Sequence, residues 1–165
     1  MASIGNSKLL EEIEGIRGIR DALVVVVKTE WNAPIVNELE NGCRKILEQF
    51  GIRIHTLTVP GAVEIPFAVA QTWANAKQPG AFITLGCVIR GDTPHFEYVC
   101  RSVTDGVTQL NLSLPVPVIF GVLTVENEQQ AIERTGGKHG HKGEEAAITA
   151  LRMMLLNKHL KEERW

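Results

Sequence analysis

Two stretches of this chain leave little choice of fold: Ala22 to Lys28 (ALVVVVK) and Ala81 to Ile89 (AFITLGCVI) run almost without a polar interruption. Both are rich in β-branched residues and too short to span a bilayer, so they read as strands. A strand with one solvated face alternates apolar and polar residues. These do not, which requires cover on both faces, the situation of a parallel sheet in an α/β protein. Two further runs, Ile52 to Val59 (IRIHTLTV) and Val116 to Val125 (VPVIFGVLTV), supply two more strands. The intervals between the four runs are long enough for the crossover helices that parallel strands need. The fold class expected is α/β, with a four-stranded parallel sheet.

The intervals carry helical periodicity. Ile35, Leu39, Cys43, Ile46, Leu47 and Phe50 keep one face, and Gly51 supplies the stop. A second helix is expected from Pro66 to about Ala76. The third begins at Thr93, with Thr93 as N-cap, Pro94 in the first helical position and Val99, Val103, Val107 and Leu110 on its buried stripe. A short fourth helix follows Asn127, where Gln130 completes a capping box, and stops before Gly136-Gly137. The last covers about Lys142 to Leu160, with Ala146, Ile148, Leu151, Met154 and Leu155 inside. No repeat or low-complexity linker divides the 165 residues, so residues 1–165 read as a single domain with a polar N-terminal arm, 1–20.

With 44% hydrophobic and 5% aromatic residues and a formal net charge of −2, the chain is unsuited to gripping nucleic acid. A small molecule or another protein is the expected partner. Three cysteines, Cys43, Cys87 and Cys100, show no C-x-x-C spacing and suggest neither a disulfide framework nor a zinc knuckle. The N-terminal residues lack the apolar core of a signal peptide, and no segment is long and apolar enough to be a membrane span. Cytoplasmic location follows as the expectation.

In open parallel sheets, ligands bind beyond the carboxyl ends of the strands, so the residues after each run are the informative ones. The first run is followed by Thr29-Glu30-Trp31-Asn32, the second by PGAVEIP, the third by RGDTPH and the fourth by ENEQQ leading to Arg134. His95 falls in the first turn of a helix, where unpaired backbone N–H groups and the dipole favour an anion. There it can serve acid/base chemistry or lie on the surface of a well-capped helix. Trp31 can stack on a planar ligand or pack at the sheet edge; Glu64 can accept from ligand hydroxyls or simply be exposed.

RTGGKHGHKG, Arg134 to Gly143, concentrates cations among glycines without Walker A spacing. Lys138 and Lys142 flank His139 and His141, which argues against a metal and for an anion such as a phosphoester. Cys87 lies among apolar neighbours, the setting of an inert buried thiol rather than a nucleophile. No G-x-G-x-x-G follows the first strand, so a dinucleotide fold has little support.

Taken in order, VPGAVEIP, LGCVIRGDTPHFEYV, PVIFGVLTVENEQQAIER and GGKHGHKG resemble the 6,7-dimethyl-8-ribityllumazine synthase family, a similarity that runs from about Ala22 to Leu156. The resemblance implies a three-layer sandwich of flavodoxin-like connectivity. It also implies a transferase of riboflavin biosynthesis that condenses 5-amino-6-(D-ribitylamino)uracil with 3,4-dihydroxy-2-butanone 4-phosphate, releasing phosphate and water. The family uses no metal or organic cofactor. Its sites lie between neighbouring subunits of a pentamer, and pentamers can close into an icosahedral shell of sixty subunits. Riboflavin synthase is a candidate partner.

Carried over by position, the resemblance makes His95 the proton-transfer residue and Trp31 the aromatic that stacks on the pyrimidine. Ala62, Val63 and Glu64 match the ribityl-binding segment, and Cys87, Val88 and Ile89 border the pyrimidine through main-chain groups. Asp92 and Thr93 fit the phosphate-binding turn. Phe120, Arg134 and Lys142 would reach in from the neighbouring subunit, Phe120 over the ring and the two cations at the phosphate. Two positions depart from the pattern: Asp92 brings a negative charge where a small residue is common, and Val63 replaces a larger aromatic.

Overall fold

A computed structural model describes residues 16–75 and 78–162 of the chain. The order of elements is β1 (Leu23–Thr29), α1 (Ala33–Gln49), β2 (Arg53–Val59), α2 (Ile65–Asn75), β3 (Ala81–Ile89), α3 (His95–Ser113), β4 (Val118–Val125), α4 (Glu128–Ile132), β5 (Thr135–Gly137), β6 (Gly140–His141) and α5 (Lys142–Glu162). Three-residue and four-residue 3₁₀ turns lie at Ala62–Glu64 and Ile16–Ile19.

The four long strands form one parallel sheet in the order β2-β1-β3-β4. This is the flavodoxin-type order, in which the winding reverses between β1 and β3. Register pairs Leu23 with Arg53, Val24 with Ala81 and Phe82 with Val118. The central strands are buried along nearly their whole length, whereas β2, at an edge, is only half-buried. That difference separates the unbroken runs from the alternating one.

Side-chain alternation divides the interior into two cores. Val24 and Val26 of β1, Ile83 and Leu85 of β3, and Ile119 and Leu123 of β4 pack under α1 and α5. Val25, Val27, Phe82, Val118 and Val122 point the other way, under α2 and α3. The result is three layers, helix pair on sheet on helix pair.

The helices begin and end within a residue or two of where the sequence places them. α2 starts at Ile65; the expected end at Ala76 lies outside the described residues. α3 starts at His95, two residues after Thr93, because Pro94 occupies the cap position rather than the first turn. The Thr93 hydroxyl still accepts the His95 N–H, at 3.4 Å. At α4, Asn127 accepts from the Gln130 N–H as a cap should, at 3.0 Å. The return bond of the expected box goes one residue further back, from the Glu126 N–H to Gln130 Oε1 at 2.9 Å. The glycine-rich segment folds into the antiparallel β5–β6 hairpin. Ile19, in the segment read as arm, is buried against the core under α1 and α5.

Candidate active site

The carboxyl ends of β1 and β3 diverge where the strand order reverses, and a cavity of about 220 Å³ opens there. Its walls come from all three neighbouring connections. β1 ends in Thr29 and is followed by Trp31 and Asn32; after β2 comes Ala62; β3 and the turn beyond it contribute Cys87, Val88, Ile89, Gly91 and Thr93, and α3 contributes His95 and Phe96.

Trp31 is 66% exposed, an unusual state for an indole with a core within reach. The loop that presents it is tied down at both sides. Glu30 and Trp31 donate backbone N–H bonds to the carbonyls of Val59 and Pro60, at 2.9 and 3.2 Å. Asn32 takes a left-handed conformation, φ 58°, and its side-chain amide donates to the Cys87 carbonyl at 2.8 Å. This bond spans the cavity floor from the β1 loop to β3. Asn32 is a site residue that the sequence reading missed. The signal was its position: a short amide in a tight turn before Ala-Pro is the kind of residue that tolerates φ > 0.

Glu64 is exposed in the 3₁₀ turn after β2, and its Oε2 accepts the Gly61 N–H at 2.9 Å. One carboxylate oxygen thus caps the turn, and Glu64 and Val63 stand beside the cavity rather than among its lining residues. Asp92 is likewise exposed and outside the lining, while Gly91 and Thr93 on either side of it are within.

His95 is exposed at the mouth as the first residue of α3. The turn holding it carries acid of its own, Glu97, with Glu126 close by. Both are paired with Arg90, whose guanidinium lies 2.7 Å from Glu97, 2.6 Å from Glu126 and 4.1 Å above the centre of the Phe96 ring. Hydrogen bonds that Arg90 donates to Glu97, then Glu126, hold its charge more firmly than usual. Exposed pairs of this kind contribute little to stability. Their consequence is local: one of the two negative charges that would repel an anion at the α3 N-terminus is cancelled.

Burial, with a smaller contribution from the Glu128 charge, pushes the Cys87 thiol up to about 11. At neutral pH it is a thiol, and what β3 offers here is backbone. Burial likewise pushes Cys43 up to about 12.

Phe120, Arg134 and Lys142 lie elsewhere. They line a second cavity of about 530 Å³ along the outer side of β4, together with Glu145, Ala146 and Thr149 of α5. No lining residue is common to both cavities. Phe120 is 40% exposed. Arg134 donates to the Gln130 carbonyl at 2.8 Å, and Lys142 Nζ bonds both oxygens of Glu145 at 2.7 and 2.8 Å. Of the residues considered together from the sequence, the fold therefore unites one group around His95 and sets the other apart around Arg134. Among the described residues no group of three or more His, Cys, Asp or Glu is arranged to hold a metal ion, and no helix is long and apolar enough to cross a membrane.

Fold and cleft together define a three-layer α/β protein with a small cavity at the switch point of its sheet. Comparison with known proteins narrows this. Residues 21–158 match the family described as 6,7-dimethyl-8-ribityllumazine synthase, and the chain belongs to that family of transferases. Curated relatives carrying that name include one from Bdellovibrio bacteriovorus, 50% identical over 138 residues, which are 83% of this chain and 76% of that protein. One from Porphyromonas gingivalis is 47% identical over 81% of this chain and 84% of its own length. One from Parabacteroides distasonis is 46% identical over 78% and 82%.

Proposed function

We propose that this chain makes 6,7-dimethyl-8-ribityllumazine, the penultimate step of riboflavin biosynthesis, from 5-amino-6-(D-ribitylamino)uracil and 3,4-dihydroxy-2-butanone 4-phosphate, releasing phosphate and water. The supporting observation is that one cavity gathers Trp31, Ala62, Cys87, Val88, Ile89, Thr93 and His95 inside the segment that matches the family.

In this reading the pyrimidine stacks on Trp31, with its polar edge toward the main chain of Cys87, Val88 and Ile89. Ala62, Val63 and the Glu64 oxygen not engaged by Gly61 line the ribityl chain. The phosphate sits at the α3 N-terminus by Thr93 and the Asp92 backbone, against Arg134 and Lys142 of a neighbouring copy, whose Phe120 covers the ring. Arg90 offsets one of the two negative charges that Glu97 and Glu126 bring to that end of the helix. Lys142 exchanges part of its pairing with Glu145 for the phosphate.

His95 moves protons as the amine condenses with the ketone and as phosphate leaves. A single acid/base group contributes about a hundredfold to ten-thousandfold, whereas fixing two reactants in one geometry can lower a barrier by roughly 7–11 kcal/mol. Placement therefore contributes more than proton transfer, and His95 accelerates a reaction that the site already favours. No metal or organic cofactor takes part.

Separation of the two cavities within one chain supports a site shared between copies, and we extend the reading to a pentameric ring, to a sixty-subunit shell built from such rings, and to riboflavin synthase as a partner. The whole of 1–165 serves as one domain in the cytoplasm, with 1–20 as its N-terminal arm. Supplying both substrates and following lumazine absorbance tests the reaction. Steady product formation is expected; tight binding of the product without turnover would replace the enzyme with a lumazine-binding protein.

A further inference from the structure

His141 takes no part in the chemistry above, yet its surroundings are unusual. Its imidazole lies against α1 at Gly42, where the helix has no side chain. A Cβ at position 42 would collide with the ring at Cε1, 2.5 Å from each nitrogen. Beside it, α5 meets α1 backbone to backbone, since a Cβ on Gly143 would run into the Leu39 carbonyl. His141 Nδ1 is buried and has no hydrogen-bond partner, the one such side-chain atom among the described residues. Buried polar atoms are nearly always paired, so a ring kept here despite an unpaired nitrogen is held by shape.

What the ring fixes is visible in the chain around it. His141 ends the β5–β6 hairpin and directly precedes Lys142. The hairpin stem is closed by the Lys142 N–H bonding the Arg134 carbonyl at 2.8 Å and the His139 N–H bonding the Glu133 carbonyl at 2.9 Å. Arg134 and Lys142 thus stand at the two feet of one hairpin. The hairpin itself contains Gly136 at φ 114° and Gly140 at φ 75°, conformations that glycine takes without strain, so its turn carries few side chains of its own to anchor it.

We infer that His141 is a positioning residue for the phosphate site: its imidazole, seated in the notch at Gly42 of α1, fixes the β5–β6 hairpin and with it Arg134 and Lys142. The inference rests on the proposed role of those two cations.

The test compares His141→Ala, His141→Phe, Gly42→Ala and the double variant Gly42→Ala/His141→Ala in the full chain. His141→Ala should raise KM for the sugar phosphate about tenfold, as expected for loosened placement, with little change in KM for the aminouracil. His141→Phe should stay near wild type, because a ring of similar size still fills the notch. Gly42→Ala should be worse than His141→Ala, and the double variant should recover to the His141→Ala level, since removing the imidazole makes room for the new methyl.

Hydrogen exchange at the His139 and Lys142 amides supplies a readout independent of turnover, and should quicken in His141→Ala and not in His141→Phe. Unchanged exchange and unchanged sugar-phosphate KM in His141→Ala would overturn the inference, as would a His141→Phe variant as impaired as His141→Ala. Absence of turnover in the wild type, with the exchange pattern as expected, would instead remove the catalytic reading and leave His141 as the anchor of the hairpin.

Discussion

The cavity around His95 and the cavity around Arg134 are built on different principles. The first is enclosed by topology: reversal of the strand order at β1 and β3 opens a crevice, and three connections close around it, tied across by Asn32 and Cys87. The second runs along β4, the strand at the end of the sheet, with α5 as its other wall and two cations at the feet of one hairpin. One has stacking surface, backbone and a histidine but little cationic charge free for a ligand, since Arg90 is engaged by two carboxylates. The other has the cations and no acid/base histidine among its lining residues. Each lacks what the other holds, and that complementarity is the physical ground for proposing that the working site joins two copies.

His95→Ala strikes the first cavity at its chemistry. Turnover should fall by about ten- to a thousandfold with assembly intact, because one proton-transfer group is lost while placement survives. Unchanged turnover would break the division of labour at its first half. Arg134→Ala strikes the second at its charge, and KM for the phosphorylated substrate should rise by roughly ten- to a hundredfold, since charge-assisted bonds to a dianion are lost. Equal loss with both substrates would remove the phosphate assignment.

Mixing the two variants sharpens the comparison. In randomly mixed rings of equal parts, a head-to-tail arrangement sets an intact His95 half against an intact Arg134 half at roughly a quarter of interfaces, and those sites should run near the wild-type rate. Co-expressed rings that show only the weighted sum of the two variants would mean that the halves do not meet in this way.

Cys87→Ala gives the smallest effect. β3 contributes a carbonyl and its main chain, not a thiolate, so turnover should stay within about twofold, with a modest loss of stability from the smaller side chain. Alkylation of Cys87 in the folded protein should be slow until the pH approaches its raised value of about 11. The sign for stability is set by the same shift. The unfolded thiol ionises near its ordinary value of 9.0, so the contribution is intact below pH 9 and is lost as pH rises through the folded value. Rapid alkylation at neutral pH together with loss of turnover in Cys87→Ala would recast the first cavity as a cysteine site.

Glu40 behaves oppositely, and it lies outside both cavities. Burial alone would raise its pKa, but the hydrogen bonds from Lys28 and Thr56 and the Lys28 and Arg44 charges outweigh burial and bring it below the usual carboxylate range. Its contribution is therefore present at neutral pH and is lost as the pH falls through that lowered value.

Much of the fold was legible because it is written locally. β3 spans the expected Ala81 to Ile89, and the stripes Ile35–Leu39–Cys43–Ile46–Leu47 and Val99–Val103–Val107–Leu110 are buried as their spacing requires. Two features were not legible. The β5–β6 hairpin has almost no apolar residues to announce strands; it forms because the β4–α5 connection is held at its stem and because the His141 ring finds Gly42, about a hundred residues earlier in the chain. The left-handed turn at Asn32 is compatible with its sequence but is fixed by the bond to Cys87.

The sequence by itself determined the strands, the buried faces of the helices, the kinds of chemical group after each strand and the family those groups belong to. Burial on both faces of a strand and one-sided burial of a helix follow from periodicities of two and 3.6 residues, which a short window of sequence carries in full. Which groups share a cavity was decided only by tertiary structure. Strand order and the course of the crossovers place β1 beside β3 and leave β4 at the edge, and no local pattern records them. So His95 and Arg134, which the family resemblance assigns to one site shared between neighbouring subunits, come to lie in two cavities of a single chain, each built from what the other lacks.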